Sequence, residues 1–108
     1  MQQSPEAFKQ RVREWANKIG VEVQTISLRA MKNKWASYTR RTHLLIFNTE
    51  LLDLDEDLGD YVIVHELLHF RVPNHGKLWK SLMRAHLGDY EALEGKLRVS
   101  SQQMKDLN

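Results

Sequence analysis

No cysteine occurs among the 108 residues, which excludes disulfides and every thiolate metal site and leaves histidine to carry any metal chemistry. Proline occurs only twice and glycine five times, and no internal repeat or low-complexity linker is visible. No apolar run approaches the ~20 residues that span a bilayer, and the N-terminus does not read as a signal peptide. A cytoplasmic location without a membrane partner is therefore expected. Net charge is small at +2, and the 42% hydrophobic and 28% charged content suits a globular chain. At this length one domain, residues 1–108, with one modest core is expected.

The most informative stretch is Val62-Ile63-Val64-His65-Glu66-Leu67-Leu68-His69. On an α-helix, positions i and i+4 lie on one face a turn apart, so His65 and His69 can offer two imidazole nitrogens to one ion. Zinc favours such ligands, and Glu66 beside the first of them reaches a metal-bound water rather than the metal. A helix that merely happened to bury two imidazoles and a carboxylate among Val, Ile and Leu would leave costly unpartnered polar groups. A catalytic zinc takes three protein ligands and keeps one open position. Pro73 should end the helix near Arg71 or Val72, because proline lacks the N–H and disfavours helix in the residue before it. The turn at Pro73-Asn74 then lets His75 swing back as third ligand, with Asn74 as N-cap of the next helix and His75 in its first turn. His43 and His86 have no such spacing and read as surface residues.

The rest of the chain supplies a scaffold. Ser4 and Pro5 start a helix whose stripe is Phe8, Val12, Trp15, Ala16 and Ile19, and Gly20 ends it. Three strands are expected, at Val21–Leu28, Lys34–Thr39 and His43–Asn48, the last two forming a hairpin across Arg40-Arg41-Thr42. The acidic run Asp53-Leu54-Asp55-Glu56-Asp57 complements the dipole of the metal helix and can cap it. Asn74–Leu87 reads as a third helix with an apolar face of Leu78, Trp79, Leu82, Met83 and Leu87, stopped by Gly88. Trp79 is expected to pack behind the metal. Asp89 can cap a final short helix with Leu93 and Leu97 inward, and residues 100–108 read as a fraying polar tail. Met1–Arg41 holds nine Lys/Arg against three acids, and Thr42–Asp60 six acids and no base. Arg29, Lys32, Lys34, Arg40 and Arg41 would suit nucleic acid, but at +2 overall a solvated strand surface is the simpler reading.

The string from Asp60 to His69, followed by His75 and then Leu78-Trp79, resembles the YgjP-like family of small zinc metallopeptidases, with SprT-like proteases as near neighbours. Trp35-Ala36-Ser37-Tyr38 resembles that family's Trp-Gly-Ser-Cys strand, and Leu45-Ile46-Phe47-Asn48 with Leu51 its Leu-x-Asn-x-x-Leu segment. Ala36 and Tyr38 stand where the family has Gly and Cys, and Leu78 where it has an aromatic. The spacing to His75 equals that of metzincins, but Val72 occupies the position of their Gly and no Met-turn follows.

The resemblance implies an α+β, minimal zincin-like domain: N-terminal helix, small three-stranded sheet, metal-binding helix and C-terminal supporting helices. It implies one Zn2+ per chain, held by His65, His69 and His75, and Glu66 as general base in the hydrolysis of a peptide or protein substrate. By the same resemblance, Trp35 and Tyr38 on the edge strand are assigned to substrate binding, the alternative for Trp35 being a place in the core. Tyr38, Tyr61, Arg84 and His86 are all candidates to stabilise an oxyanion. The rival class is a non-catalytic, metal-stabilised binding module for nucleic acid or a protein partner; a purely structural site would not require Glu66.

Overall fold

In the computed structural model, residues 3–100 are described. The elements are α1 (Pro5–Ile19), β1 (Thr25–Arg29), β2 (Ala36–Thr39), β3 (Leu44–Asn48), a 3-10 turn (Thr49–Asp53), α2 (Glu56–Leu68), α3 (Lys77–Leu87) and α4 (Tyr90–Val99). This is an α+β architecture of four helices on a small mixed sheet among the described residues. The expected fraying of residues 101–108 lies outside them.

The start of α1 follows its sequence signals. Ser4 Oγ accepts from the Ala7 N–H at 3.1 Å, Pro5 sits in the first turn, and Gly20 closes the helix at φ +82, a left-handed conformation that costs glycine nothing. Phe8, Val12 and Ala16 are buried, with Trp15 and Ile19 half-buried beside them. The Phe8 ring meets Phe47 of β3 edge-on at 5.2 Å, which anchors α1 to the sheet.

The strand order is β1-β3-β2. β2 and β3 form the expected antiparallel hairpin, Ala36 opposite Phe47 and Thr39 opposite Leu44. β1 instead runs parallel to β3 on its other side. It spans Thr25–Arg29 rather than Val21–Leu28, because Val21–Gln24 connect α1 to the sheet without pairing. In β3, Leu45 and Phe47 face the core while Leu44 and Ile46 are half-buried on the other face, as the two-residue period requires. Asn48 ends β3 as a buried, satisfied amide: Nδ2 donates to the carbonyls of Met31 (2.9 Å) and Lys34 (2.8 Å), and Oδ1 accepts from the Glu50 N–H (3.0 Å). It thereby fixes the loop that leads into β2.

Helix α2 is the centre of the molecule. From Leu58 to Leu68 every residue except the half-buried Asp60 is buried, because α1, α3, α4 and β2 all pack around it. A helix apolar on all sides is stable in water only when surrounded. Gly59 permits the approach of α1, since a Cβ there would lie 3.3 Å from Phe8 Cε2. Polar groups fasten the same junction: Asp60 Oδ1 accepts from the Trp15 indole at 2.8 Å and pairs with the Arg11 guanidinium. Asp55 takes the N-cap position of α2 without a side-chain cap bond, so the acidic run acts through Glu56 and Asp57 in the first turn.

Two helix boundaries also differ from expectation. Regular α2 ends at Leu68, three residues before Arg71. Beyond it the chain tightens, with the N–H groups of His69, Phe70 and Arg71 each bonded three residues back and Val72 N–H bonded to Leu68 O. Helix α3 begins at Lys77 with Gly76 as N-cap, so Asn74 is not the cap and His75 is not in the first turn. Asn74 Oδ1 instead accepts from the Gly76 N–H at 2.9 Å, a local turn that competes with helix formation. On α3 the inward residues are Trp79 and Met83. Leu78, expected on the apolar face, is 61% exposed because it lies to the side of that stripe. Asp89 caps α4 as expected, accepting from Ala92 N–H, with Leu97 buried and Leu93 half-buried.

Candidate metal centre

His65 and His69 leave α2 on one face, as i and i+4 spacing dictates. His69 is the C-cap but keeps helical dihedrals (φ −67, ψ −14), so that face is preserved to the helix end. The tight turn through Val72, Pro73 and the Asn74–Gly76 bond then brings His75 back over it. Nε2 of His69 and Nε2 of His75 are 2.9 Å apart. One ligand nitrogen from each of His65, His69 and His75 lies within 4.8 Å of the others. A tetrahedral zinc with ~2.0–2.1 Å bonds requires nitrogens about 3.4 Å apart, a spacing these separations bracket.

The donor chemistry fits as well. Val72 O can only accept, so its 3.0 Å contact with His69 Nδ1 places the proton on that nitrogen and leaves Nε2 with its lone pair turned toward His75. Burial holds His65, 3% exposed, far below the usual imidazole range, at about 3, with the charges of His69 and His75 acting in the same direction. His65 is therefore a neutral imidazole near pH 7. Exposure rises from buried His65 through half-buried His69 to exposed His75, so the centre opens on the His75 side.

Glu66 lies buried beside the imidazoles. It is 1% exposed, and neither carboxylate oxygen has a hydrogen-bond partner among the described residues. Its Oε2 lies 3.5 Å from His65 Nδ1, itself unpartnered. Burial pushes the carboxyl up to about 7, opposed by the histidines and by Lys34. A native fold tolerates such orphaned groups where they serve chemistry.

Aromatic rings enclose the imidazoles. Tyr61, one turn before His65, lies 5.8 Å from its ring and donates to Glu94 Oε2 of α4 at 3.1 Å. Burial raises the Tyr61 hydroxyl above its ordinary range, so it stays protonated. Trp79 lies against all three histidines. Tyr61 is among the sequence candidates to stabilise an oxyanion, whereas the Val72 carbonyl and Glu94 have no sequence signal.

The other sequence candidates are placed as follows. Trp35, 3% exposed, belongs to the core. Tyr38, half-buried, stacks on Phe70 at 4.2 Å, and His43, at φ +52 in the hairpin turn, meets the edge of the same ring. Arg84 pairs with Glu91 at 2.8 Å, and His86 packs edge-on against Trp15 of α1, so these two are engaged away from the three imidazoles. No helix of the described residues is long and apolar enough to cross a membrane.

The profile of the family described as YgjP-like, metallopeptidase domain, matches residues 1–100. The uncharacterized protein MJ0123 of Methanocaldococcus jannaschii is 34% identical over 77 residues, which cover 68% of this chain and 70% of that protein. Two solved structures are similar. The metallopeptidase zymogen of M. jannaschii jannalysin has a TM-score of 0.74 at 31% identity, covering 86% of this chain and 93% of that one. The metallopeptidase zymogen of Pyrococcus abyssi abylysin has a TM-score of 0.79 at 14% identity, covering 92% and 99%, a likeness of fold. With its three-histidine cluster on such a fold, and a profile match over nearly its whole length, this chain belongs to the YgjP-like metallopeptidase domain family.

Proposed function

We propose that this protein is a zinc-dependent peptidase that hydrolyses peptide bonds, with His65, His69 and His75 as zinc ligands and Glu66 as general base. The observation that carries the reading is the convergence of three imidazole nitrogens beside a buried carboxylate that has no hydrogen-bond partner among the described residues. A structural metal site would gain nothing from that carboxylate, which separates this reading from the binding module.

Zinc, when bound, supplies Lewis acidity that makes water a better nucleophile and polarises the scissile carbonyl. The protein's own groups do the rest. Burial keeps His65 neutral, and Val72 O fixes the tautomer of His69, so two ligand nitrogens need no rearrangement. Glu66, buried beside His65, accepts a proton from the attacking water and returns it to the departing amine. The apolar neighbours of α2 exclude bulk water and strengthen each of these electrostatic effects.

Peptide is the proposed substrate because the family and the solved relatives are metallopeptidases. β2 is an edge strand, paired only with β3 among the described residues, and its outer side can add an extended peptide by main-chain bonding. The Trp35 indole is sealed in the core, so the segment would act through its backbone, and Tyr38 is only half-buried.

The test is incubation of zinc-loaded protein with a mixed peptide library, read by mass spectrometry, with Glu66→Gln as control. Cleavage by wild type, absent from a variant that still binds zinc, supports the reading; equal cleavage by both removes Glu66 as the base.

A further inference from the structure

We infer that Trp79 is the positioning residue of the metal centre, its indole setting the convergence of His65, His69 and His75 and thereby the affinity for metal. The inference rests on the zinc reading above. The indole, 4% exposed, lies edge-to-face with His65 at 4.9 Å (77°) and with His75 at 4.6 Å (83°). It stacks nearly parallel to His69 at 5.8 Å (16°). No other side chain of the described residues outside the trio has ring contacts with all three.

The need for such a residue follows from where the histidines sit. His65 is locked inside α2, but His69 is the C-cap, and His75 is exposed in the linker that the Asn74–Gly76 bond turns. Backbone alone does not hold an exposed imidazole in one rotamer. A flat bicyclic ring nearly parallel to one imidazole and nearly perpendicular to two others restricts all three together, since aromatic pairs favour stacked and T-shaped arrangements. The indole is itself backed from α4: Tyr90, also buried, meets it edge-on at 6.0 Å, and the Arg84 guanidinium lies over the Tyr90 ring at 5.3 Å.

Packing by itself does not explain tryptophan here. Its Nε1–H is buried without a hydrogen-bond partner among the described residues, an unfavourable arrangement that a phenylalanine or leucine would avoid. The retained property is the breadth of the ring that spans three ligands.

The experiment uses the full chain with Trp79→Leu, Trp79→Phe and, as a destabilised control away from the histidines, Leu97→Ala. Folding of the chelated proteins is followed by circular dichroism and melting. Zinc affinity is measured by competition with a chromophoric chelator, and ligand geometry by the visible bands of the cobalt-loaded protein. Trp79→Leu is expected to bind zinc roughly 10–100-fold more weakly, as for loss of an outer-sphere partner, with altered cobalt bands, while Leu97→Ala keeps wild-type affinity. If Trp79→Leu does not fold, Trp79→Phe decides by the same two readouts. A folded Trp79 variant with wild-type affinity and bands overturns the inference, as does a Leu97→Ala variant weakened equally at matched stability. Wild-type protein that binds no zinc overturns the metal reading along with it, whereas wild-type binding with indifferent Trp79 variants overturns this inference alone.

Discussion

Glu66 makes the chelated protein sensitive to pH in a direction that a single substitution exposes. Its carboxyl ordinarily titrates at 4.5 and is pushed up to about 7 by burial. Below pH 4.5 the group is protonated in both the folded and the unfolded chain, and contributes no difference. Between 4.5 and about 7 the unfolded chain ionises while the folded chain keeps its proton, so stability falls as pH rises through this window and stays low above it. At about 1.4 kcal/mol per pH unit, the displacement amounts to about 3 kcal/mol. Glutamine removes the titration but keeps the volume. Melting of chelated wild type and Glu66→Gln should therefore coincide near pH 5 and diverge by pH 8, the variant melting on the order of 10 °C higher. The His65 contribution has the opposite sign, stability being lost as pH falls below 6.5, and is common to both proteins. Added zinc should close the gap, since a nearby cation favours the carboxylate. Parallel melting curves from pH 5 to 8 would refute the argument, because they would mean that the carboxylate is solvated.

Three further outcomes follow from the same structure. His75→Ala should lower zinc affinity by more than the ~10–100-fold expected for an outer partner, while changing the chelated protein's stability by only about 0.5 kcal/mol, since His75 is exposed; chelator competition and melting together check both. Gly76→Ala places a Cβ 2.8 Å from Asn74 Oδ1, so that amide must swing aside and give up its bond to the residue 76 N–H; zinc binding should weaken, but less than in His75→Ala. Asn48→Ala removes the partner of two carbonyls and an N–H that are part-buried, and should cost about 1–3 kcal/mol in denaturant unfolding; an unchanged midpoint would show that the loop before β2 does not depend on that amide.

The elements legible from the chain alone were those governed by neighbours in sequence. Ser4-Pro5 and Gly20 bounded α1, the i, i+4 spacing put His65 and His69 on one face, and the short Arg40–Thr42 connection made a hairpin of β2 and β3. What resisted reading depended on contacts between distant segments. Val21–Gln24 has strand composition but finds no partner, because β1 pairs parallel to β3 only from Thr25 onward. Asn74 carries the right residue type for a cap, yet spends its oxygen one turn early on Gly76. Leu78 has the hydropathy of a core residue and none of its burial.

The sequence by itself determined that a metal could be held and which helix would hold it, because ligand identity and helical period are local properties of the chain. Tertiary structure alone decided the electrostatic surroundings of these side chains. The depth of α2 among three other helices and β2 is what orphans the Glu66 carboxylate and drives His65 to neutrality, and both are effects of desolvation by residues far away in the chain. The return of His75 over α2, and the placing of Trp79 against all three imidazoles, likewise required α3 to pack back on α2. No residue pattern encodes that packing except through the whole core.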